Sequence, residues 1–281
     1  MKSHHELHAE QIDYWNGAAG DHWADEQERI DSFLEPVLEV LIPRAHVKAH
    51  ESVLDVGCGA GATTIVLANL VGPLGKAMGL DVSAPLLERA RERSKGLDHT
   101  HYVLADAAKH PFSHPFADLL FSRFGVMFFG DPTAAFKNLK TALKPGGRVL
   151  FACWRKPDEN PWAMVPLQAA YQHVARLPKP EPEDPGPFSF ADPDRVTRIL
   201  TGAGFAKPRF TPADVTLDVA SGKGLDDAVH HAMGLGPASR ALKDQPEDAV
   251  AKAKHSIREA LAPYAKHGSV KLGGAIWLVE C

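Results

Sequence analysis

The chain has 281 residues, 44% of them hydrophobic and 23% charged, with a formal net charge of −4 and a pI near 6.4. Those are ordinary globular values, the length is enough for one large α/β domain or a domain plus a cap, and no overall basic field invites nucleic acid. Three cysteines (Cys58, Cys153, Cys281) without paired spacing argue against a disulfide scaffold or a cysteine zinc site and fit a reducing cytoplasm.

The start, Met1-Lys2-Ser3-His4-His5-Glu6, is polar, so no signal peptide is expected, and no apolar run nears the roughly 18 residues of a membrane helix. None of the fifteen histidines falls in an H-E-x-x-H pattern, and no metal is expected. Residues 1–50 read as helical, broken by glycines after Tyr14-Trp15-Asn16. Ile30, Phe33, Leu34, Val37, Leu38 and Leu41 fall on one helical face. Pro36 suits a first helical turn if Ser32 is the N-cap. Tyr14, Trp15 and Trp23 read either as packing for this layer or as an aromatic lid.

From Val53, strands and helices alternate. Val53-Leu54-Asp55-Val56 enters the turn Gly57-Cys58-Gly59-Ala60-Gly61, and an apolar helix follows until Gly72-Pro73. Further strands are read at Lys76–Val82, His101–Asp106, Asp118–Phe124 and Arg148–Trp154. Ser83 and Asp131-Pro132 cap the intervening helices, the second of which reaches Leu143. Five strands separated by helices imply a parallel sheet with right-handed crossovers.

Residues 155–190 are proline-dense and read as loop, with Glu181, Glu183 and Asp184 as a solvated face. Asp192-Pro193 caps a further helix. Phe205–Val219 and Val270–Val279 read as an antiparallel pair at the sheet edge, with helices of 222–265 between them as part of a cap.

Two ligand classes fit the glycine turn. Gly57-x-Gly59-x-x-Ala62 satisfies a dinucleotide pattern, but a pyrophosphate wants N–H groups and no nearby anion. Here Asp55 precedes the turn, Asp81 and Asp106 end the next two strands, and residues 57–75 hold no Lys or Arg. Such a crevice suits a cationic ligand bearing hydroxyls. Cys58 reads as a small residue fitting the turn rather than as a nucleophile.

The ordered set VLDVGCGAGATT, GLDVS, ADAAKHPF, FSRFGVMFF and LKPGGRVLFACW resembles the class I S-adenosylmethionine-dependent methyltransferases, nearest the bacterial ubiquinone/menaquinone-biosynthesis group. The likeness covers residues 50–155 and continues more weakly beyond. It implies a Rossmann-like, mostly parallel seven-stranded sheet with the last strand antiparallel, helices on both faces and a helical cap. Residues 1–50 would be an N-terminal cap segment, and 51–281 the methyltransferase domain with cap insertions at about 155–190 and 222–265. It also implies S-adenosylmethionine as cofactor and S-adenosylhomocysteine as product. Asp55 and the backbone of Gly57, Cys58 and Gly59 would hold the methionine end, with Ser122 and Arg123 nearby. Asp81 would accept from the ribose hydroxyls, Val82 would pack on adenine, and Asp106 and Ala107 would meet the adenine edge.

Methyl transfer needs positioning more than a dedicated base, and no base stands out; His22, His230 and His231 qualify by type alone. Phe124, Met127, Phe128, Trp154 and Tyr14 are expected to face a small, partly apolar or aromatic acceptor, or to pack the core around the cofactor. Residues 155–190 and 222–265 would roof the pocket, and a roof of this size disfavours macromolecular substrates. The expected protein is a cytoplasmic enzyme, monomeric or homodimeric, without nucleic-acid or membrane partners. A protein or nucleic-acid methyltransferase, or a non-catalytic cofactor-binding protein, is the alternative.

Overall fold

A computed structural model describes residues 3–179, 181 and 184–281. Met1, Lys2, Pro180, Pro182 and Glu183 lie outside the described residues.

The chain opens with α1 (His4–Asn16), α2 (Ala18–Asp25) and α3 (Gln27–Ala45). The alternating unit follows: β1 (Ser52–Val56), α4 (Ala62–Val71), β2 (Lys76–Asp81), α5 (Ala84–Arg93), β3 (Thr100–Leu104) and β4 (Ala117–Arg123). Then come α6 (Pro132–Lys140), β5 (Leu143–Trp154), α7 (Pro161–Ala170), α8 (Pro193–Gly202) and β6 (Arg209–Asp218). Helices α9 (Leu225–Gly234), α10 (Gly236–Leu242) and α11 (Glu247–Leu261) precede the short β7 (Ala265–Lys266) and the long β8 (Ser269–Glu280).

Strand order is β3-β2-β1-β4-β5-β8-β6, with β7 pairing β8 off the path. Strands β1 to β5 pair in parallel, and β8 runs antiparallel to both β5 and β6. This is the expected Rossmann-like sheet with its last strand antiparallel. Strand β1 pairs with β2 on one side and β4 on the other, so the winding reverses there. In an open α/β sheet that reversal leaves a crevice beyond the strand ends. Central strands are buried on both faces, which is why Val53-Leu54 and Leu119-Leu120-Phe121 read as unbroken apolar runs.

Helix α3 packs along β4, β5 and β6 through Ile30, Phe33, Leu34, Val37 and Leu41, the face expected from its spacing. Its start differs. Glu26, not Ser32, is the N-cap, and Pro36 and Pro43 both lie inside the helix. Each interior proline removes a helical donor; the burial of a whole apolar face outweighs that local cost. Helix α6 ends at Lys140, and Leu143 belongs to β5, which is irregular where it meets β4 between Ala117 and Leu119.

The proline-dense stretch contains a helix that local composition hides. Pro161 occupies the first position of α7, where a missing N–H costs little, and Pro166 sits within it. Helix α7 packs on α10, α11 and β8. The preceding Asn160 is fully buried. Its Nδ2 donates to the carbonyls of Lys156 at 3.0 Å and of Arg155 and Ala275 at 3.3 Å. Its Oδ1 accepts from Ala275 N at 2.9 Å and Trp162 Nε1 at 3.1 Å. One amide thus joins the end of β5, the start of α7 and the middle of β8.

Candidate cofactor and acceptor cleft

The crevice begins where β1 ends. Gly57 turns with φ 67°, and a Cβ there would come within 2.6 Å of Gly125 Cα in the turn after β4. Only a residue without a Cβ lets these two turns pass so closely. Gly59 also has positive φ, but nothing lies within 4 Å of its Cβ position, so its face is open to a ligand.

Asp55 sits beneath this turn, not on the cleft wall. It is 1% exposed, and its Oδ2 accepts from the hydroxyls of Thr63 and Thr64, each at 2.6 Å. Its Oδ1 has no partner. Burial pushes the carboxyl up to about 6, against the two hydroxyl bonds and Arg123. Ser122 is equally buried, and its Oγ donates to the Val56 carbonyl at 2.7 Å, tying β4 to β1. Both residues shape the floor from below.

The raised Asp55 carboxyl has a sign that can be measured. Between its unfolded value of 3.8 and about 6 the folded chain holds a proton that the unfolded chain has lost. The associated stability is complete below pH 4 and is lost as pH rises through 6. Asp55→Asn removes that dependence. In urea titrations of the ligand-free protein, the variant should gain about 2.5 kcal/mol relative to the parent between pH 4 and 7.5. A pH-independent difference would contradict the burial argument.

On the wall, Asp81 Oδ1 accepts from Ser83 N at 2.9 Å and Oδ2 from Gly59 N at 2.8 Å. Burial raises its carboxyl while these backbone donors oppose the shift. Asp106 Oδ1 accepts from Ala108 N at 2.9 Å, and its Oδ2 shares a 2.8 Å hydrogen bond with His8 Nε2. Burial favours the neutral acid, but His8, the Ala108 N–H and Lys109 hold Asp106 below the usual carboxylate range. Val82, Ala107 and Cys58 complete this wall. Burial pushes the Cys58 thiol well above its ordinary range, which leaves it unreactive.

Arg123 ends β4 and lines the cleft, half-buried. Burial holds its guanidinium below the ordinary range against the pull of Asp31 and Asp55, yet it makes no hydrogen bond or ion pair among the described residues.

Helices α1 to α3 form the roof, and none of the residues lining the cleft comes from 155–190 or 222–265, the stretches expected to cover it. His8, Gln11, Ile12 and Trp15 line the cleft from α1; Trp23 of α2 and Gln27, Ile30, Asp31 and Leu34 of α3 line it further on. The α1 group and the α3 group each follow one helical face, at i, i+3, i+4, i+7. That spacing is the signal by which His8, Gln27 and Asp31, absent from the sequence reading, could have been found. The roof is fastened to the loop after β2: Ser83 Oγ donates to the Trp15 carbonyl at 2.6 Å, and Asn16 Nδ2 to the Val82 carbonyl at 2.8 Å. Between walls and mouth the cleft holds about 1110 Å³.

The five expected acceptor residues separate. Phe124 and Phe128 line the cleft. Trp154 lies behind Phe124, stacked at 4.2 Å, and Met127 is buried behind the same turn. Tyr14 is on the outside, 37% exposed, edge-on to Trp15 and under Arg240. Trp15 stands edge-on between Trp23 and Phe128 at 5.3 and 5.5 Å, so these rings form a continuous wall. His22, His230 and His231 are away from the cleft lining; His231 is buried against Phe33, and burial lowers its pKa to about 3.

No cluster of three or more His, Cys, Asp or Glu able to hold a metal occurs among the described residues. Among them, too, no helix is long and apolar enough to cross a membrane.

Residues 54–151 match the family described as "Methyltransferase domain". A demethylmenaquinone methyltransferase of Staphylococcus haemolyticus is 31% identical over 170 residues, covering 58% of this chain and 71% of its own. A malonyl-[acyl-carrier protein] O-methyltransferase of Marinomonas is 36% identical over 120 residues, 43% of this chain and 44% of its own. The YcgJ protein of Bacillus subtilis superposes with a TM-score of 0.56 at 18% identity, over 86% of this chain and 96% of its own, a likeness of fold alone.

Proposed function

The chain belongs to the S-adenosylmethionine-dependent methyltransferases, in the group of the menaquinone- and ubiquinone-biosynthesis enzymes, and on that premise we propose that its acceptor is a small, partly apolar or aromatic molecule. The observation that carries this reading is the aromatic wall of Trp15, Trp23, Phe124 and Phe128 under a roof of three helices. Closed, mostly apolar pockets with few polar groups suit small ligands. The relatives are named for demethylmenaquinone and for malonyl-[acyl-carrier protein], so their names do not choose an acceptor.

The lining fits the donor. Three carboxylates, Asp31, Asp81 and Asp106, and a single guanidinium, Arg123, line the cleft, which suits a sulfonium, an ammonium and a ribose diol better than a pyrophosphate. S-adenosylmethionine supplies an activated methyl group for direct displacement. In our reading Asp81 accepts from the ribose hydroxyls while steadying Gly59. Val82 packs on the adenine, and Asp106 and the Ala107 N–H meet its edge. His8 already holds Asp106 in place. The backbone of Gly57, Cys58 and Gly59 carries the methionine end, with Asp55 and Ser122 bracing the turn from below and Arg123 reaching in from β4. Phe124 and Phe128 touch the acceptor, Trp154 and Met127 support them, and Tyr14 steadies Trp15 from outside.

The N-terminal segment roofs the cleft, the insertions at 155–190 and 222–265 extend the cap behind it, with Asp227 paired to Arg29 and Arg240 over Tyr14, and the remainder of 51–281 acts as the catalytic domain. Catalysis then rests on alignment and exclusion of water. The three unpaired thiols support a cytoplasmic setting for the enzyme.

The test is transfer of radiolabelled methyl onto a panel of small phenols, amines and carboxylic acids, beside bulk RNA and protein. Labelling of macromolecules alone would overturn the reading. Phe128→Ala should raise the acceptor KM about tenfold while leaving S-adenosylhomocysteine affinity unchanged. Equal loss in both would move Phe128 to the donor's side of the cleft.

A further inference from the structure

The polar groups of the cleft fall into two sets. Asp81 ends β2 and Asp106 follows the neighbouring β3, with His8 bonded to Asp106 and the Gly59 N–H held by Asp81. The second set is Gln27, Asp31 and Arg123. Arg123 lies two residues past Phe121, which pairs with Asp55, so it stands level with Gly57 across the β1–β4 junction. Asp31 is tied to the same turn from above. Its Oδ2 accepts from Arg93 Nη2 at 2.6 Å, and Arg93 Nη1 donates to the Ala60 carbonyl at 2.6 Å.

Both groups are held open. Asp31 Oδ2 also accepts from Gln27 Nε2 at 2.5 Å, while its Oδ1 makes no hydrogen bond among the described residues. Arg123 feels Asp31 as its leading attractive charge, yet the two do not close into an ion pair. A half-buried guanidinium without a partner among the described residues and a carboxylate anchored by Gln27 and Arg93 line one cleft without closing on each other, and leave a gap with a positive and a negative side. A group carrying both charges in reverse order fills such a gap: an α-amino acid. Asp55 cannot take the ammonium directly, because it lies beneath the turn with 1% exposure.

We propose that Asp31 and Arg123 clamp the α-amino-acid end of the donor, Asp31 Oδ1 taking the ammonium and the Arg123 guanidinium the carboxylate. Helix α3 of the N-terminal segment is then part of the cofactor site, reached by no glycine motif. The proposal rests on S-adenosylmethionine being the donor.

Calorimetry on the full chain tests it with four ligands: S-adenosylhomocysteine, 5′-methylthioadenosine (which lacks the amino-acid arm), and homocysteine-arm analogues lacking only the carboxylate or only the ammonium. The parent protein should bind S-adenosylhomocysteine about 30-fold more tightly than either singly truncated analogue. Arg123→Met should lose about 30-fold for S-adenosylhomocysteine, keep its 5′-methylthioadenosine affinity within twofold, and cease to distinguish the decarboxylated analogue. Asp31→Asn should do the same for the deaminated one. Unchanged 5′-methylthioadenosine binding also certifies that each variant is folded, and Arg123→Met decides the matter alone if Asp31→Asn does not fold. Parallel loss of both ligands, or S-adenosylhomocysteine binding within threefold of the parent in Arg123→Met, overturns the clamp and leaves the donor assignment standing. A parent protein that binds no S-adenosylhomocysteine overturns the donor assignment and the clamp with it.

Discussion

Asp81→Ala will weaken S-adenosylhomocysteine binding about 100-fold, and at the least tenfold. The carboxylate ends β2, the strand beside β1 where the winding reverses, and is nearly buried, so water does not replace what is removed. Two charge-assisted hydrogen bonds to a ribose diol are worth about 1.5–3 kcal/mol each. A further loss comes from the Gly59 N–H, which is held by Asp81 Oδ2 at 2.8 Å and is freed by the substitution. Asp81→Asn keeps the shape and one acceptor, and should fall between the parent and the alanine variant. Calorimetry at one pH and salt concentration checks all three. Affinity within threefold of the parent in Asp81→Ala would remove Asp81 from the ribose.

The largest effect on stability belongs to Asn160→Leu. Leucine approximates the volume but abandons the Ala275 N–H and the Trp162 indole N–H, together with the three carbonyls that Asn160 Nδ2 reaches. Buried polar groups left unpaired cost about 1–3 kcal/mol each. Some will find water, so a loss of about 4 kcal/mol is expected in urea unfolding, with a Tm lower by about 10 °C. A loss below about 1 kcal/mol would mean that the β5–α7–β8 junction closes without the amide. The damage should also reach the cleft, because Trp162 packs on Trp154 at 4.9 Å and Trp154 stacks on Phe124.

The alternating core was legible because central parallel strands are apolar on both faces, and because β1 to β3 end at or within two residues of a glycine or aspartate. Asp81 and Asp106 could be placed on the crevice for the same reason: each closes or just follows a strand whose neighbours are fixed by the crossover rule. Asp55 shows where that logic stops. Its position in the chain puts it next to the turn, but side chains alternate across a strand, and only the folded register shows that it points below. Pro36 and Pro161 mark another limit. Local rules treat proline as a boundary, which is right at Pro161 and wrong at Pro36, where tertiary burial decides. His8, Gln27 and Asp31 were hidden by their company. A helix face that lines a ligand cleft mixes polar and aromatic residues, so its periodicity is faint beside that of a core-facing stripe such as Ile30, Phe33, Leu34, Val37 and Leu41.

Strand β8 comes last among the strands and yet lies between β5 and β6. Strands β1 to β5 can pair as they leave the ribosome, whereas β6 has no place on the sheet until residues 269–280 have emerged. The intervening α9, α10 and α11 must therefore either pack on α7 first or wait with their apolar faces open. Closing this late, long-range pairing is the entropically slow step for a chain of this topology. During synthesis, β6 and the edge of β5 are thus the surfaces most exposed to wrong partners, and chaperone demand should concentrate on that interval.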